Sequence, residues 1–233
     1  MTKSDSVKIH AFLAHQGVTS RRQAEEMIRL GRVKVNGQPA LIGRRINPEV
    51  DRVEVDHRQV SAKATKPLYF LINKPVGYVS TTSDELGRKN VLDLLPKQTS
   101  RLYPVGRLDL DSEGLMLLTN DGDLAFRLTH PKFEVNKTYH VLIIGTPTEL
   151  ALNHLRKGVK LKEGFTQPAQ VEELRTEGDN TWLAITIHEG RYHQVKRMLE
   201  RVGYETLRLI RVSLGQFNLE MLHGQKYLQL DKI

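Results

Sequence analysis

A polar loop joins a strongly apolar run in residues 102–122, LYPVGRLDLDSEGLMLLTNDG. Arg107 and Asp109 alternate with apolar neighbours, and from Gly114 onward the sequence is apolar until the turn signal Asn120-Asp121-Gly122. An apolar run bounded by turn residues predicts a buried strand. Asp109 is therefore expected at the edge of a loop beside buried β structure, where an aspartate commonly forms a turn or pairs with a nearby arginine.

Residues 67–233 continue this pattern with strands and helices in mixed order. They show no strict alternation of strand, helix and strand, which argues against a doubly wound parallel sheet. The sequence predicts an α+β domain with a mainly antiparallel sheet. The predicted strands are 68–72, 139–144, 181–187 and 207–212, and the predicted helices are 123–128, 148–157 and 192–202.

A smaller module is predicted at residues 7–56, built from two helices and a hairpin. Ser20 and Gln23 have the spacing of a capping box at the start of the second helix, and Gly17 ends the first helix. Asn36-Gly37 lies between short alternating segments and is a strong hairpin signal. Residues 57–66 lack apolar periodicity and are interpreted as a flexible linker.

The composition indicates the cellular compartment of the protein. Its 233 residues include no cysteine, which excludes disulfides, thiolate catalysis and cysteine-ligated zinc and suits a reducing compartment. No apolar run reaches the ~18–20 residues of a membrane helix, and the N-terminus has no apolar signal-peptide core. We expect a cytoplasmic protein with no membrane partner, and nothing in the sequence requires more than a monomer.

Positive charge indicates a polyanionic partner. The net charge is +8, and eight Lys or Arg residues lie between Val7 and Arg45 against two glutamates. At a helix start, arginine side chains and free backbone N–H groups both favour phosphate. The candidate RNA-binding residues of this module are Arg21, Arg22, Arg29, Arg32 and Lys34.

The N-terminal module resembles the S4-type RNA-binding domain over residues 8–56. The resemblance lies in Phe12-Leu13-Ala14, in GVTSRR at 17–22 and in IRLGRVKVNG at 28–37. It implies that this module holds RNA through phosphate contacts.

The rest of the chain resembles the RNA pseudouridine synthases that couple an S4 domain to the catalytic domain and act on ribosomal RNA. The segments that carry the resemblance occur in order: Asn73–Gly77, Gly106–Asp109, Gly114–Leu115, Leu118–Gly122, Lys137–Tyr139, Glu189–Met198 and Leu209–Val212. More of them match the members acting on the large subunit, of the B type, although RYHQVK at 191–196 is similar to members acting on the small subunit. The modified uridine is left open.

The resemblance implies a cofactor-free and metal-free isomerisation of uridine, with Asp109 as the essential catalytic group. Tyr139 matches the aromatic residue that stacks on the target base. Lys196 matches the basic residue that pairs with the catalytic carboxylate, and Arg197 is the alternative. Arg107 is expected to hold a phosphate or the flipped nucleotide.

Further positions are expected to bind the substrate. Ile210 or Leu207 would supply the apolar wall over the uracil, and the remaining candidate RNA contacts are Lys74, Arg191 and Arg197. The alternative function is a non-catalytic RNA-binding or ribosome-assembly factor on the same fold. A methyltransferase would require a Gly-rich cofactor loop after a strand, and the sequence has none. A tRNA ligase would require a nucleotide-binding fold, for which the chain is too short.

Overall fold

The computed structural model describes residues 6–61 and 66–233. These residues divide into two compact units, of which the second begins at Leu68. The short segment Thr99–Arg101 is grouped with the first unit, and the second unit otherwise continues to Ile233.

The first unit contains the two predicted helices. The second helix starts with the predicted capping box, in which the Ser20 hydroxyl accepts a hydrogen bond from the Gln23 N–H and the Gln23 side chain accepts one from the Ser20 N–H. The buried faces of both helices, with Leu13 and Ile28 among them, pack on the short strands in one apolar core. The elements are α1 Ile9–His15 and α2 Arg21–Arg29, with β1 Val7–Lys8, β2 Val33–Val35, β3 Gln38–Pro39, β4 Arg45–Ile46, β5 Val53–Val55 and β6 Arg58–Gln59.

The hairpin turn is confirmed, and the linker prediction is partly wrong. Asn36 and Gly37 both have positive φ, 53° and 80°, and they connect β2 to β3, while β5 pairs with the other edge of β2. The strand β6 lies within the predicted linker, pairs with β5 and is followed by Val60, which packs against the core. This strand was missed because Arg58 and Gln59 carry no apolar signal. Residues 62–65 of the predicted linker lie outside the described part of the chain.

The second unit is built on one large sheet in the order β13-β14-β10-β15-β9-β7-β17. The strands β9 and β15 pair in parallel, and the other neighbours along this order pair antiparallel. The predicted α+β class is therefore confirmed. The strands of this unit are β7 Tyr69–Lys74, β8 Tyr103–Pro104, β9 Glu113–Thr119, β10 Lys137–Ile144, β11 Lys160–Leu161, β12 Gly164–Phe165, β13 Gln170–Glu177, β14 Asn180–Ile187, β15 Thr206–Leu214, β16 Phe217–Asn218 and β17 Tyr227–Leu230.

Apolar side chains cover both faces of the sheet, which explains the continuous apolar run of β9. Because side chains alternate along a strand, Met116 and Leu118 join the main core while Leu115 and Leu117 join a second core on the other face. The second core includes residues of α3, and the main core includes residues of α4 and α5. These helices are α3 Gly122–Thr129, α4 Glu149–Lys157 and α5 Gln194–Arg201, and three short 3-10 helices span Val91–Leu94, Pro131–Phe133 and Leu219–Leu222.

Gly114 allows the close parallel approach of β9 to β15. It pairs with Arg211 and has φ +108°, and an added Cβ would lie 2.7 Å from the Arg211 nitrogen and closer still to its carbonyl oxygen. Every other residue type would therefore force the two backbones apart. The glycine thus fixes the loop before β9 against the strand that carries Arg211.

No helix within residues 6–61 and 66–233 is long and apolar enough to cross a membrane.

Candidate active site

A cavity of about 420 Å³ opens in the second unit, and Asp109 is part of its lining. It lies where the loop before β9 meets β10, the end of β14, β15 and the start of α5. Its size falls within the ~300–1,000 Å³ typical of small-molecule sites. The lining residues used below are Gly106, Arg107, Asp109, Thr129, Lys137, Tyr139, Ile187, Arg191, Tyr192, His193, Leu209 and Arg211.

Two buried side chains hold the loop that presents Asp109. The Ser80 hydroxyl donates to the Leu108 carbonyl at 2.6 Å and accepts from the Leu108 N–H at 3.0 Å. The Lys74 ammonium donates to the carbonyls of Asp109, at 2.9 Å, and Ser112, at 2.5 Å. The backbone on both sides of the Asp109 side chain is therefore tied to the core.

The prediction that Lys74 contacts RNA is wrong. Its side chain is completely buried, and a third hydrogen bond goes to the Pro75 carbonyl at 3.1 Å. Burial lowers the pKa of Lys74 to about 8, an effect that the nearby charge of Asp109 partly opposes. Lys74 cannot reach a phosphate because its three donors are used to shape the loop.

The side chain within ion-pair distance of Asp109 is the imidazole of His193. The side chain of Asp109 is 25% exposed, and its Oδ1 lies 3.3 Å from Nε2 of His193. His193 has a positive φ of 48° at the start of α5. The Tyr192 ring stacks on the His193 ring at a centroid distance of 3.8 Å. The carboxylate therefore faces both the cavity and the imidazole ring of His193.

Neither predicted cationic partner of Asp109 pairs with it. The Lys196 ammonium lies 2.5 Å from Oδ1 of Asp111, and this hydrogen bond lowers the pKa of Asp111. Arg197 forms a two-point contact with Glu163 at 3.1 and 2.7 Å. Both cations lie on α5, and Lys196 contacts the loop before β9, whereas Arg197 contacts the turn between β11 and β12. These ion pairs depend on tertiary positions that sequence spacing does not encode.

The register of the sheet places Tyr139 next to Arg211. Tyr139 on β10 is directly opposite Arg211 on β15, so their side chains lie on the same face of the sheet. Next to this pair the register skips one residue of β15, a bulge of the kind that is common beside active sites. Tyr139 is 8% exposed and lines the cavity.

The apolar wall of the cavity comes from Leu209 and Ile187, and the prediction of Ile210 or Leu207 is wrong. Leu209 is two residues before Arg211 and therefore shares its face of the strand, whereas Ile210 is offset by one residue. Leu207 is 49% exposed and does not line the cavity. A shift of one residue along a strand moves a side chain to the opposite face, which accounts for Ile210. Leu207 has the same parity as Leu209 but lies near the exposed start of β15.

Two predicted arginines line the cavity, and they differ in how many hydrogen bonds their guanidinium groups form. Arg107 is exposed, and no hydrogen bond or ion pair of its guanidinium is present among the described residues. Arg191 donates to Glu189, Gly164 and Phe165. The Arg107 guanidinium is therefore available to an anionic ligand, whereas Arg191 is held in the wall of the cavity by its three hydrogen bonds.

The candidate RNA-binding residues of the first unit lie on or near its surface. Arg21 and Arg22 are exposed at the start of α2. Arg29 pairs with Glu26, and Arg32 forms a two-point contact with Asp56. Lys34 is half-buried on β2. The charges of Arg29 and Arg32 are therefore partly compensated, whereas Arg21, Arg22 and Lys34 form no ion pair with another described residue.

Three charged or titratable residues that line the cavity received no role from the sequence analysis: His193, Lys137 and Arg211. All three fall inside the segments that carry the family resemblance. For Arg211 a signal was present: it shares the alternation of the buried Leu209 on a strand, which predicts a buried arginine. For His193 no sequence signal identifies Asp109 as its partner.

Within the described residues, no cluster of three or more His, Asp or Glu side chains has the arrangement of a metal site.

The chain matches two protein-family models. Residues 68–201 match the model of RNA pseudouridylate synthases, and residues 7–51 match that of the S4 domain. Among curated proteins, it is 42% identical to an uncharacterised RNA pseudouridine synthase of Aquifex aeolicus, over 97% of this chain and 91% of that protein. It is also 42% identical to the ribosomal large subunit pseudouridine synthase B of Bacillus subtilis, over 93% of this chain and 88% of that protein.

A solved structure also resembles the chain. A crystal structure of a pseudouridylate synthase matches with a TM-score of 0.68 and 32% sequence identity, covering 96% of each chain.

Proposed function

Because the chain belongs to the RNA pseudouridylate synthase family, we propose that it isomerises a uridine of ribosomal RNA with the Asp109 carboxylate as the essential group. The bond between C1′ of the ribose and N1 of the uracil breaks, the base turns, and a bond forms between C1′ and C5. The proton on C5 moves to N1, so that atoms and electrons balance within one nucleotide. This reaction requires no oxidant and no activated group, and we propose that it uses neither cofactor nor metal.

The observation that supports this role is the position of Asp109. Among the described residues that line the cavity, Asp109 is the one carboxylate, and four lysine or arginine residues surround the same space. A carboxylate can act as a nucleophile at C1′ or as the base for a proton transfer. Both roles need a charged oxygen that faces the substrate and a loop backbone that is held in place. The hydrogen bonds from Ser80 and Lys74 hold the backbone of this loop.

Tyr139 and Leu209 form the slot proposed for the uracil. Both side chains are buried at the cavity wall and can contact the faces of a planar base. A base in folded RNA must leave its stack before it reaches such a slot, at a cost of about a few kcal/mol. Contacts of Arg107 and of the S4 domain with phosphates would offset this cost.

The relatives point to the large ribosomal subunit. The B. subtilis relative and a Vibrio vulnificus relative, 40% identical over 85% of this chain, are both named as large subunit enzymes, of types B and E. We propose a uridine of large-subunit RNA as the target and the cytoplasm as the location.

The test is a direct modification assay. Unmodified large-subunit and small-subunit RNA transcripts are incubated with the full-length protein, and pseudouridines are mapped with a carbodiimide and reverse transcription. We expect one or a few new stops in the large-subunit RNA and none in the other. The absence of new stops in both RNAs, with RNA binding retained, would favour the non-catalytic assembly factor instead.

A further inference from the structure

Two cations line the cavity, the buried Arg211 and the half-buried Lys137, and neither forms an ion pair with another residue that the structure describes. Arg211 is 2% exposed, and its Nε donates to the Leu115 carbonyl at 2.8 Å. Its Nη2 is buried and has no hydrogen-bond partner. A guanidinium stays charged at all relevant pH values, and a buried charge without a partner is costly. An anion in the cavity would both accept a hydrogen bond from this nitrogen and compensate the buried charge.

Lys137 adds a second positive charge to the same site. It is two residues before Tyr139 on β10, so both side chains lie on the same face of the strand. Its ammonium has one hydrogen bond, to the Val135 carbonyl at 2.9 Å. Burial lowers the pKa of Lys137, and the charge of Arg211 lowers it further. The two cations therefore repel each other across a space that no carboxylate of the described chain fills.

The neighbouring backbone leaves room at this point. Gly106 has φ +76°, and an added Cβ would lie 3.9 Å from Nη1 of Arg211 and 3.7 Å from the Thr129 methyl group. A methyl side chain at position 106 would therefore fill the space beside Nη1 of Arg211, and glycine leaves that space open. Asp109, the carboxylate of the cavity, is more than 4 Å from this guanidinium and instead faces His193.

We propose that Arg211 and Lys137 form a phosphate-binding subsite that holds a phosphate attached to the target uridine while its base lies against Tyr139. The inference rests on the proposed function, which supplies the nucleotide. Two converging cations select a phosphate over the neutral carbonyls of uracil, because only an anion compensates both charges. The subsite positions the ribose, so that C1′ faces Asp109, and it takes no part in bond breaking.

The test compares uridine with uridine 5′-monophosphate and uridine 3′-monophosphate as ligands of the full-length protein. Dissociation constants are measured by NMR titration at low salt for the wild type, for Lys137→Met and for Lys232→Met, a control that removes a charge from an exposed position near the C-terminus. In the wild type and in the control, we expect one monophosphate to bind about tenfold more tightly than uridine, the range of a charge-assisted hydrogen bond. In Lys137→Met this advantage should fall to about twofold or less.

Two outcomes would overturn the subsite. One is a wild type that binds uridine and both monophosphates equally. The other is an advantage that persists unchanged in Lys137→Met and in Lys137→Gln, the second variant included in case the first unfolds. Neither readout needs turnover, so a protein that prefers the monophosphate but modifies no RNA would contradict the proposed function alone.

Discussion

Replacing Lys74 by methionine tests how a buried ammonium holds the catalytic loop. The variant keeps most of the side-chain volume but removes the donor of three hydrogen bonds. The carbonyls of Pro75, Asp109 and Ser112 each lose their bond to the ammonium. We expect the free energy of unfolding to fall by about 2–4 kcal/mol at pH 7, because breaking a buried charged contact from one side leaves its partners unsatisfied.

The pH dependence of the unfolding free energy tests the burial of the Lys74 ammonium more sharply. The pKa of Lys74 falls from its usual 10.5 to about 8 in the folded protein, which corresponds to about 3 kcal/mol at about 1.4 kcal/mol per pKa unit. Below pH 8 both the folded and the unfolded chain carry the proton, so Lys74 causes no pH dependence there. Between pH 8 and 10.5 the unfolded chain keeps a proton that the folded chain releases, and the stability contributed by Lys74 rises with pH.

The assay is urea unfolding of the wild type and of Lys74→Met between pH 7 and pH 10. The single tryptophan, Trp182, is buried on β14, so its fluorescence reports the catalytic unit. Subtracting the unfolding free energy of Lys74→Met from that of the wild type at each pH cancels the contribution of groups that titrate in both proteins. We expect the difference in unfolding free energy to grow by about 2–3 kcal/mol from pH 7 to pH 10. A difference that is constant or shrinks would refute the buried, depressed lysine, and Lys97→Met at an exposed site should give a constant difference.

Three other changes probe separate parts of the structure. Ser80→Ala removes both bonds to the Leu108 backbone, and we expect a loss of about 1–3 kcal/mol in stability with a lower kcat and little change in KM, measured by single-turnover and steady-state assays. Gly114→Ala should cost more than about 4 kcal/mol, and a melting temperature within a few degrees of the wild type would contradict the close strand approach. Replacing Arg21 and Arg22 together by glutamine should reduce the slope of log binding constant against log salt by about one to two, and an unchanged slope would show that this helix start does not contact phosphates.

Local features of the sequence predicted the local structure well. The capping box at Ser20 and the turn at Asn36-Gly37 depend on residues within a few positions of each other, and both occur as predicted. The loop position of Asp109 followed from the apolar run after it. In each case the physical cause lies within a short stretch of chain.

Partners across the fold were not predictable in the same way. Lys196 pairs with Asp111 and not with Asp109 because the ends of a helix and a loop, 85 residues apart, meet in one particular register. Lys74 is a charged residue at the end of a strand and was expected at the surface, yet three carbonyls replace its hydration. Such outcomes depend on the assembled backbone and not on residue type.

Replacing Asp109 by asparagine tests the central claim most directly. The change removes the charge and the nucleophilic oxygen but almost no volume, and Asp179→Asn in an exposed turn makes the same substitution away from the cavity. Pseudouridine formation is measured under single-turnover conditions together with the dissociation constant for the RNA. We expect Asp109→Asn to lower the rate by about 10³-fold or more with RNA affinity retained, and Asp179→Asn to match the wild type. An Asp109→Asn protein that forms pseudouridine at the wild-type rate would contradict the assignment.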